Sequence, residues 1–80
     1  MDKYIKYMID NGNLGVRTRD IMKHFNTSQK TVSSRLTGLK HRNLVNNAYQ
    51  KWYHCANVIE LDNDEIEITF HNGDVEIWPK

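Results

Sequence analysis

The spacing of the apolar residues changes at Asn43, and this change constrains the fold more than any other feature of the chain. Before Asn43, apolar residues recur at intervals of three and four residues, which is typical of amphipathic helices. After Asn43, they alternate with polar residues, which is typical of strands with one buried face. The sequence therefore predicts an α+β fold in which helices precede antiparallel strands.

The first part is predicted to contain three helices. Helix 1 covers about residues 2–11, with Asp2 as its N-cap and Gly12 as its stop. A short extended piece follows at 14–16, and helix 2 lies near 19–25.

The second and third helices are separated by a very short break. Thr18 is predicted to cap helix 2, and Ser28 to cap helix 3, which runs to about His41. Asn26 and Thr27 lie between them, and asparagine suits a tight turn because it tolerates a left-handed backbone.

The second part is predicted to contain short strands. Leu44-Val45 and Tyr49 to His54 are strand candidates, with Asn46-Asn47 as the turn between them. Val58 to Leu61 is another strand candidate.

The last hairpin has the clearest local pattern. Ile66, Ile68 and Phe70 alternate with polar residues, and Asn72-Gly73 favours a two-residue type I′ turn. The predicted pairs are His71 with Asp74, Phe70 with Val75, and Ile68 with Ile77. All four apolar partners would then share one face.

Charge is divided between the two parts. Residues 1–54 carry ten Lys or Arg against three Asp, a net charge of +7, and residues 55–80 carry a net charge of −6. This asymmetry favours one side that faces nucleic acid and one that faces away from it. Two solvated faces with uneven charge remain the alternative.

Composition restricts the class of protein. With 80 residues, of which 39% are hydrophobic and 26% charged, the chain is expected to form one domain over 1–80. This domain divides into a helical part at 1–45 and strands at 46–80. Apolar runs are too short for a membrane span, and the single cysteine, Cys55, favours a cytoplasmic location, in a nucleoid or a host-cell interior.

Enzyme and metal chemistry lack their usual residue patterns. The four histidines are scattered, and His54 and Cys55 are neighbours that point to opposite faces of a strand. No cysteine pair has zinc spacing, and the glycines form no phosphate loop. We therefore expect neither an enzyme nor a metal, cofactor or small-molecule site.

An ordered set of residues resembles the winged helix-turn-helix family of DNA-binding proteins. The set is Asp20-Ile21, Asn26-Thr27-Ser28, Thr31-Val32-Ser33, Arg35-Leu36, Leu39 and Asn43-Leu44-Val45. The resemblance covers about residues 2–55. It implies a three-helix bundle with a short sheet or wing, here followed by a C-terminal β-hairpin. The chain departs from the family at Asn26, where glycine is frequent, and at Met22, where a small residue is frequent.

The resemblance makes the third helix the expected reading helix. With Val32, Leu36 and Leu39 facing inward, a polar face is left outside. The residues hypothesised to contact bases in the major groove are Gln29, Lys30, Ser33 and Ser34. Those hypothesised to contact phosphates are Arg17, Arg19, Thr27, Ser28, Thr31, Arg35, Lys40 and Arg42. A merely solvated polar face is the alternative.

The segment Gln50 to His54 is the candidate wing. Lys51 is hypothesised to contact the phosphate backbone. Trp52 and Tyr53 would contact sugars or the minor groove or, as we favour, alternate so that one covers the core and the other is exposed.

The acidic hairpin carries a second candidate surface. Its outward face is predicted to carry Glu65, Glu67 and Glu76, which would repel DNA. Glu67 and Trp78, placed on this polar face, are the candidates for a dimer or partner contact. Alternatively, the hairpin serves only to complete the hydrophobic core.

These features together favour a sequence-specific, double-stranded DNA-binding protein. It would act as a small transcriptional regulator, a homodimer or a partner of the transcription machinery, and its size favours a viral or mobile-element source. The alternative function is a protein-interaction module, or an inhibitor of a host complex, that uses the acidic sheet of the same scaffold.

Overall fold

The described residues form three helices and two small antiparallel sheets, so the predicted α+β class is confirmed. A computed structural model describes residues 2–11 and 15–79. The predicted helix stop at Gly12 and the first residue of the extended piece at 14–16, Leu14, lie outside these residues. The elements are α1 (Lys3–Asp10), α2 (Thr18–Phe25), α3 (Gln29–His41), β1 (Asn46–Ala48), β2 (Lys51–Tyr53), β3 (Asn57–Glu60), β4 (Glu65–Thr69) and β5 (Val75–Pro79). None of the helices described here has the length and apolar character that crossing a membrane requires.

Local capping chemistry sets the helix ends. Asp2 accepts hydrogen bonds from the first backbone N–H groups of α1, and Ser28 Oγ accepts one from Thr31 N at 3.2 Å, so both predicted caps are confirmed. Asn26 ends α2 in the left-handed conformation at φ 51°, as the turn prediction requires. The predicted cap at Thr18 is wrong.

The start of α2 lies one residue earlier than predicted. Arg17 occupies the N-cap position, and its backbone N–H donates to Asp20 Oδ2 at 3.2 Å. A carboxylate three residues into a helix can cap it in this reciprocal way. Because Asp20 supplies this contact, Thr18 becomes the first helical residue.

The helices close around a first hydrophobic core. Its buried residues come from all three helices and from both adjoining segments: Tyr4, Ile5, Met8, Val16, Ile21, Val32, Leu36, Leu39 and Val45. Met22 lies only partly buried at the edge of this core, so its bulk is accommodated without entering the centre.

The first hairpin differs from the prediction. Asn46 and Asn47 belong to strand β1 instead of forming a turn, and Leu44-Val45 lies before the strand. The turn is at Tyr49-Gln50, where both residues have positive φ, at 50° and 65°. Positive φ at both central positions is the signature of a type I′ turn.

Tertiary contacts explain why an unfavourable residue pair makes this turn. Tyr49 N donates to Glu60 Oε1 at 3.3 Å, and the Tyr49 hydroxyl donates to the Leu61 carbonyl at 3.3 Å. Asn46 Nδ2 donates to the carbonyls of Cys55 and Ala56 at 3.1 Å. These bonds hold the first hairpin against the segment around β3. The turn therefore forms at Tyr49 and Gln50, although neither residue type favours positive φ.

The last hairpin exists, but its register is shifted by one residue. Thr69 pairs with Val75, and Ile68 pairs with Glu76. Phe70 N donates to the Asp74 carbonyl at 2.8 Å, and Gly73 has φ 94°, so the loop has three residues with glycine in the left-handed position. The predicted two-residue turn, and every pair derived from it, are wrong.

A one-residue slip moves every side chain of β5 to the other face of the sheet. Val75 and Ile77, expected on the buried face, are 55% and 48% exposed. Trp78, expected on the polar face, lies with Ile66 on the buried face and contacts the rings of Tyr53 and Phe70 at centroid distances of 6.1 and 5.8 Å. The slip packs the partly buried indole of Trp78 against the second core and leaves Val75 and Ile77 on the opposite face.

The three-stranded sheet of β3, β4 and β5 encloses a second hydrophobic core. Its buried residues are Ala48, Tyr53, Cys55, Ile66 and Ile68. Strand β2 joins the two cores, because Trp52 packs against the first core and its neighbour Tyr53 is buried in the second. The backbone of Trp52 also exchanges hydrogen bonds with that of Val16, at 2.9 and 2.7 Å.

Candidate nucleic-acid interface

Helix α3 presents a polar face that follows directly from its apolar spacing. Val32, Leu36 and Leu39 are buried in the first core, as predicted. Of the four side chains hypothesised to read bases, Gln29, Lys30 and Ser34 are exposed, whereas Ser33 is half-buried. The helix thus places two long polar side chains and one short hydroxyl on its accessible surface, within its first two turns.

A cleft of about 430 Å³ lies beside the N-terminus of α3. The elements that form it are the start of α2, the start of α3 and the tip of the first hairpin. Its lining residues are Arg17, Thr18, Arg19, Met22, Gln29 and Gln50. The cleft therefore combines two guanidinium groups with two amides and contains no carboxylate, an arrangement that suits an anionic ligand with hydrogen-bonding edges.

A second hollow continues along the same helix. It is lined by Lys30, Thr31, Ser34 and Arg35, again without a carboxylate. The hollows that border α1 and α2 differ, because their linings include Asp10 in one case and Asp20 in the other. Among the described hollows, only the two on the α3 side are free of acidic groups.

Arg35 has a structural partner as well as an exposed position. Its guanidinium contacts the Asp2 carboxylate, with Nε–Oδ2 at 2.9 Å and Nη2–Oδ2 at 2.6 Å, and it lies over the ring of Tyr4. Partial burial of Asp2 opposes its ionisation, but the hydrogen bonds from Arg35 and from the helix backbone outweigh it and lower the pKa of Asp2 below 3.8. Removing Arg35 would therefore disturb the start of α1 as well as the surface charge.

The other hypothesised phosphate contacts occupy different environments. Arg19, Thr31 and Arg42 are exposed, whereas Thr27 is half-buried. Ser28 Oγ is engaged in capping α3. Lys40 Nζ donates to Asn47 Oδ1 at 2.7 Å, which ties the end of α3 to β1.

The candidate wing is shorter than the sequence suggested. Lys51 is half-buried on the same face of β2 as the buried Tyr53, and it is not among the residues that line the cleft. Trp52 packs against the first core and Tyr53 belongs to the second. The expectation that one of these two aromatics would be exposed is wrong, because both faces of the hairpin are covered.

Three cleft residues, Thr18, Met22 and Gln50, are not among the candidate site residues. Thr18 was interpreted only as a helix cap. Gln50 was part of the candidate wing, but its place at a turn has no local signal, because neither Tyr49 nor Gln50 favours positive φ. Only the tertiary contacts of Tyr49 bring Gln50 to the same cleft as Gln29.

The reactive side chains of the second core are shielded. Burial raises the pKa of the Cys55 thiol to about 11, so the thiol is protonated at neutral pH. Burial and the neighbouring His71 ring, at a centroid distance of 4.9 Å, lower the pKa of His54. Within residues 2–11 and 15–79, no cluster of three or more His, Cys, Asp or Glu is placed to hold a metal ion.

The geometry of the cleft and of α3 is thus established without reference to any known protein. Compared with models of known families, with curated proteins and with solved structures, the chain matches none.

Proposed function

We propose that the chain is a double-stranded DNA-binding protein of winged helix-turn-helix type that acts as a small transcriptional regulator. The observation that carries the proposal is the cleft in which Arg17, Arg19, Gln29 and Gln50 converge without a carboxylate. Guanidinium groups bind phosphate in a bidentate manner, and glutamine can donate to and accept from adenine in the major groove.

The order of the elements supports the same proposal. The elements follow each other as the resemblance implies: α1, the Val16 bridge, α2, α3 and the β1–β2 hairpin. Val16 pairs with Trp52 of the hairpin in an isolated antiparallel bridge. In such an arrangement α3 enters the major groove and the hairpin flanks it. Gln29 and Lys30 would then read base edges, while Arg17 and Arg19 would hold the backbone.

Selection from a pool of random duplexes, repeated at two salt concentrations, tests the proposal. We expect a reproducible motif and an affinity that falls steeply with salt, because each phosphate contact releases counterions. The symmetry of the motif reports whether one or two copies bind.

Matched variants locate the binding face. Lys30→Gln removes a charge from α3, and Lys6→Gln removes one from α1, where Lys6 pairs with Asp10 at 3.0 Å. We expect the first to weaken binding and the second to change it little, and Gln29→Ala to relax specificity at one base pair by about 1–3 kcal/mol. Equal effects of the two lysine variants, or no enriched duplex, would contradict the proposal.

A further inference from the structure

The three-stranded sheet has an outer face on which apolar side chains are exposed. This outer face consists of the residues that point away from the second core: Asn57, Ile59 and Leu61 on the β3 side, Glu65, Glu67 and Thr69 on β4, and Val75, Ile77 and Pro79 on β5. Of the four large hydrophobic residues that are exposed in the described chain, Ile59, Val75 and Ile77 lie here. Most of the exposed aliphatic surface is therefore concentrated on one sheet face.

The register arranges this face in columns. Ile59, Glu67 and Ile77 form one row across the three strands, with the carboxylate in the middle. Glu65 lies two residues before Glu67 on the same central strand, about 7 Å away along it. The outer face thus has an apolar column on β5 and a mainly apolar column on β3, which also contains Asn57. Between them lies a column that carries two carboxylates.

Within the part of the chain that the structure describes, no ion pair involves the carboxylate of Glu67. The two ion pairs found among the described residues, Lys6–Asp10 and Arg35–Asp2, lie on the helices. Residues 55–80 have a net charge of −6, so the surrounding region also favours a cation over an anion. This charge excludes DNA from the outer face.

A second copy of the chain fits the outer face poorly. Two-fold pairing of identical faces would bring the Glu67 columns of both copies together in an apolar setting, where like charges repel strongly. A cationic ligand between two apolar flanks is the complementary arrangement.

An α-helix has dimensions that match this arrangement. The two apolar columns are about 10 Å apart, because they lie two strand spacings from each other, and a helix with its side chains is about 10–12 Å wide. Helix positions i and i+4 are about 6 Å apart along the axis, close to the Glu65–Glu67 spacing.

We propose that the outer face binds an amphipathic helix of another protein, one that presents a row of lysine or arginine side chains between two rows of apolar ones. The cations contact Glu65 and Glu67, and the apolar rows cover Ile59 on one side and Ile77 with Val75 on the other. This interaction surface is independent of the proposed DNA interface, because it shares no residue with the α3 cleft.

Titration of the full chain with two synthetic helical peptides tests the proposal. One peptide, about four turns long, carries lysine in the central row with leucine on both flanks, and the other carries glutamate in place of lysine. We expect the lysine peptide to bind and the glutamate peptide not to bind. Glu67→Gln should weaken binding about tenfold, and Ile77→Thr should weaken it to a similar extent.

Asp62→Asn is the matched control, because it removes one negative charge from the loop before β4 and not from the outer face. Circular dichroism verifies that each variant is folded. Equal weakening by Asp62→Asn and Glu67→Gln would overturn the proposal, since it would indicate unspecific charge attraction. Binding of the glutamate peptide would also overturn it, as would self-association of the wild-type chain that Ile77→Thr abolishes.

Discussion

The helical region of this chain buries its large apolar side chains more completely than the sheet region does. The helices, with Val16 and Val45, enclose a core from several sides and leave one exposed large aliphatic side chain, Ile9, in their described part. The sheet encloses a core on one face only and leaves Ile59, Val75 and Ile77 exposed on the other.

The charges of the two regions differ in the same way. The accessible side of α3 combines cations, amides and hydroxyls without a carboxylate, whereas the outer face combines aliphatic groups with carboxylates. A chain of this size can therefore present two surfaces that attract opposite ligands. If the two regions fold as one unit, a change in either core destabilises both regions.

Truncation of either core should destabilise the whole chain. Leu36→Ala in the first core and Ile66→Ala in the second each remove a side chain with 0% exposure. We expect each to lower the free energy of unfolding by about 2–5 kcal/mol, through lost burial and the cavity left behind.

Each region has its own fluorescent reporter for this measurement. Trp52 packs on the first core and Trp78 on the second, so Trp52→Phe and Trp78→Phe variants give single-tryptophan proteins for denaturant titration. Both reporters should give the same midpoint in each alanine variant. If Ile66→Ala shifts the midpoint of Trp78 alone, the two regions unfold separately.

Gly15→Ala should damage the junction between the regions. Gly15 has φ 88°, and an added Cβ would lie 2.6 Å from Cε1 of the buried Tyr53. Both the backbone strain and the displacement of a core ring are unfavourable, so we expect a loss of about 2–4 kcal/mol in the free energy of unfolding. An unchanged thermal midpoint would show that Tyr53 can move away at little cost.

Changes at Asp2 separate its capping role from its charge. Asp2→Ala removes the helix cap and the ion pair with Arg35, and we expect a loss of about 1–2 kcal/mol. Asp2→Asn keeps a capping oxygen but removes the charge, so its loss should be smaller. Denaturant titration of both variants beside the wild type gives the two values.

The pH dependence of this difference has a definite sign. The pKa of Asp2 is lowered in the folded chain, so the stabilisation by its charge is present above the ordinary pKa of 3.8 and is lost as the pH falls through the folded value. The wild type and Asp2→Asn should therefore become equally stable at low pH. A difference that persists at the lowest pH would contradict the charge contribution.

Two further glycine substitutions should have small effects of opposite sign. Gly38 lies inside α3 and Gly73 in the last hairpin turn, and an added Cβ meets nothing within 4 Å at either position. Gly38→Ala should stabilise the chain by about 0.5–1 kcal/mol because alanine favours the helix. Gly73→Ala should destabilise it by about 1 kcal/mol because φ is 94° there. Equal thermal shifts in the same direction would contradict the positive φ of Gly73.

Many features of this fold are encoded by residues that are close together in the sequence. The order of helices and strands, the caps at Asp2 and Ser28, and the left-handed Asn26 all follow from side chains within a few residues of the feature. The inward face of α3 follows from its period, so the exposure of Gln29 and Lys30 could also be predicted. The division of charge is a property of the sequence alone.

The position of the two hairpin turns and the face of β5 that is buried depend on tertiary contacts. Asn72-Gly73 is compatible with a two-residue and with a three-residue loop, and these differ by one residue in register. In the three-residue loop that is observed, Trp78 packs against Tyr53 and Phe70. In the first hairpin, the hydrogen bond of Tyr49 to Glu60 fixes a turn that the conformational preference of tyrosine disfavours. Both results depend on contacts between residues distant in sequence, and such contacts leave no mark in a local pattern.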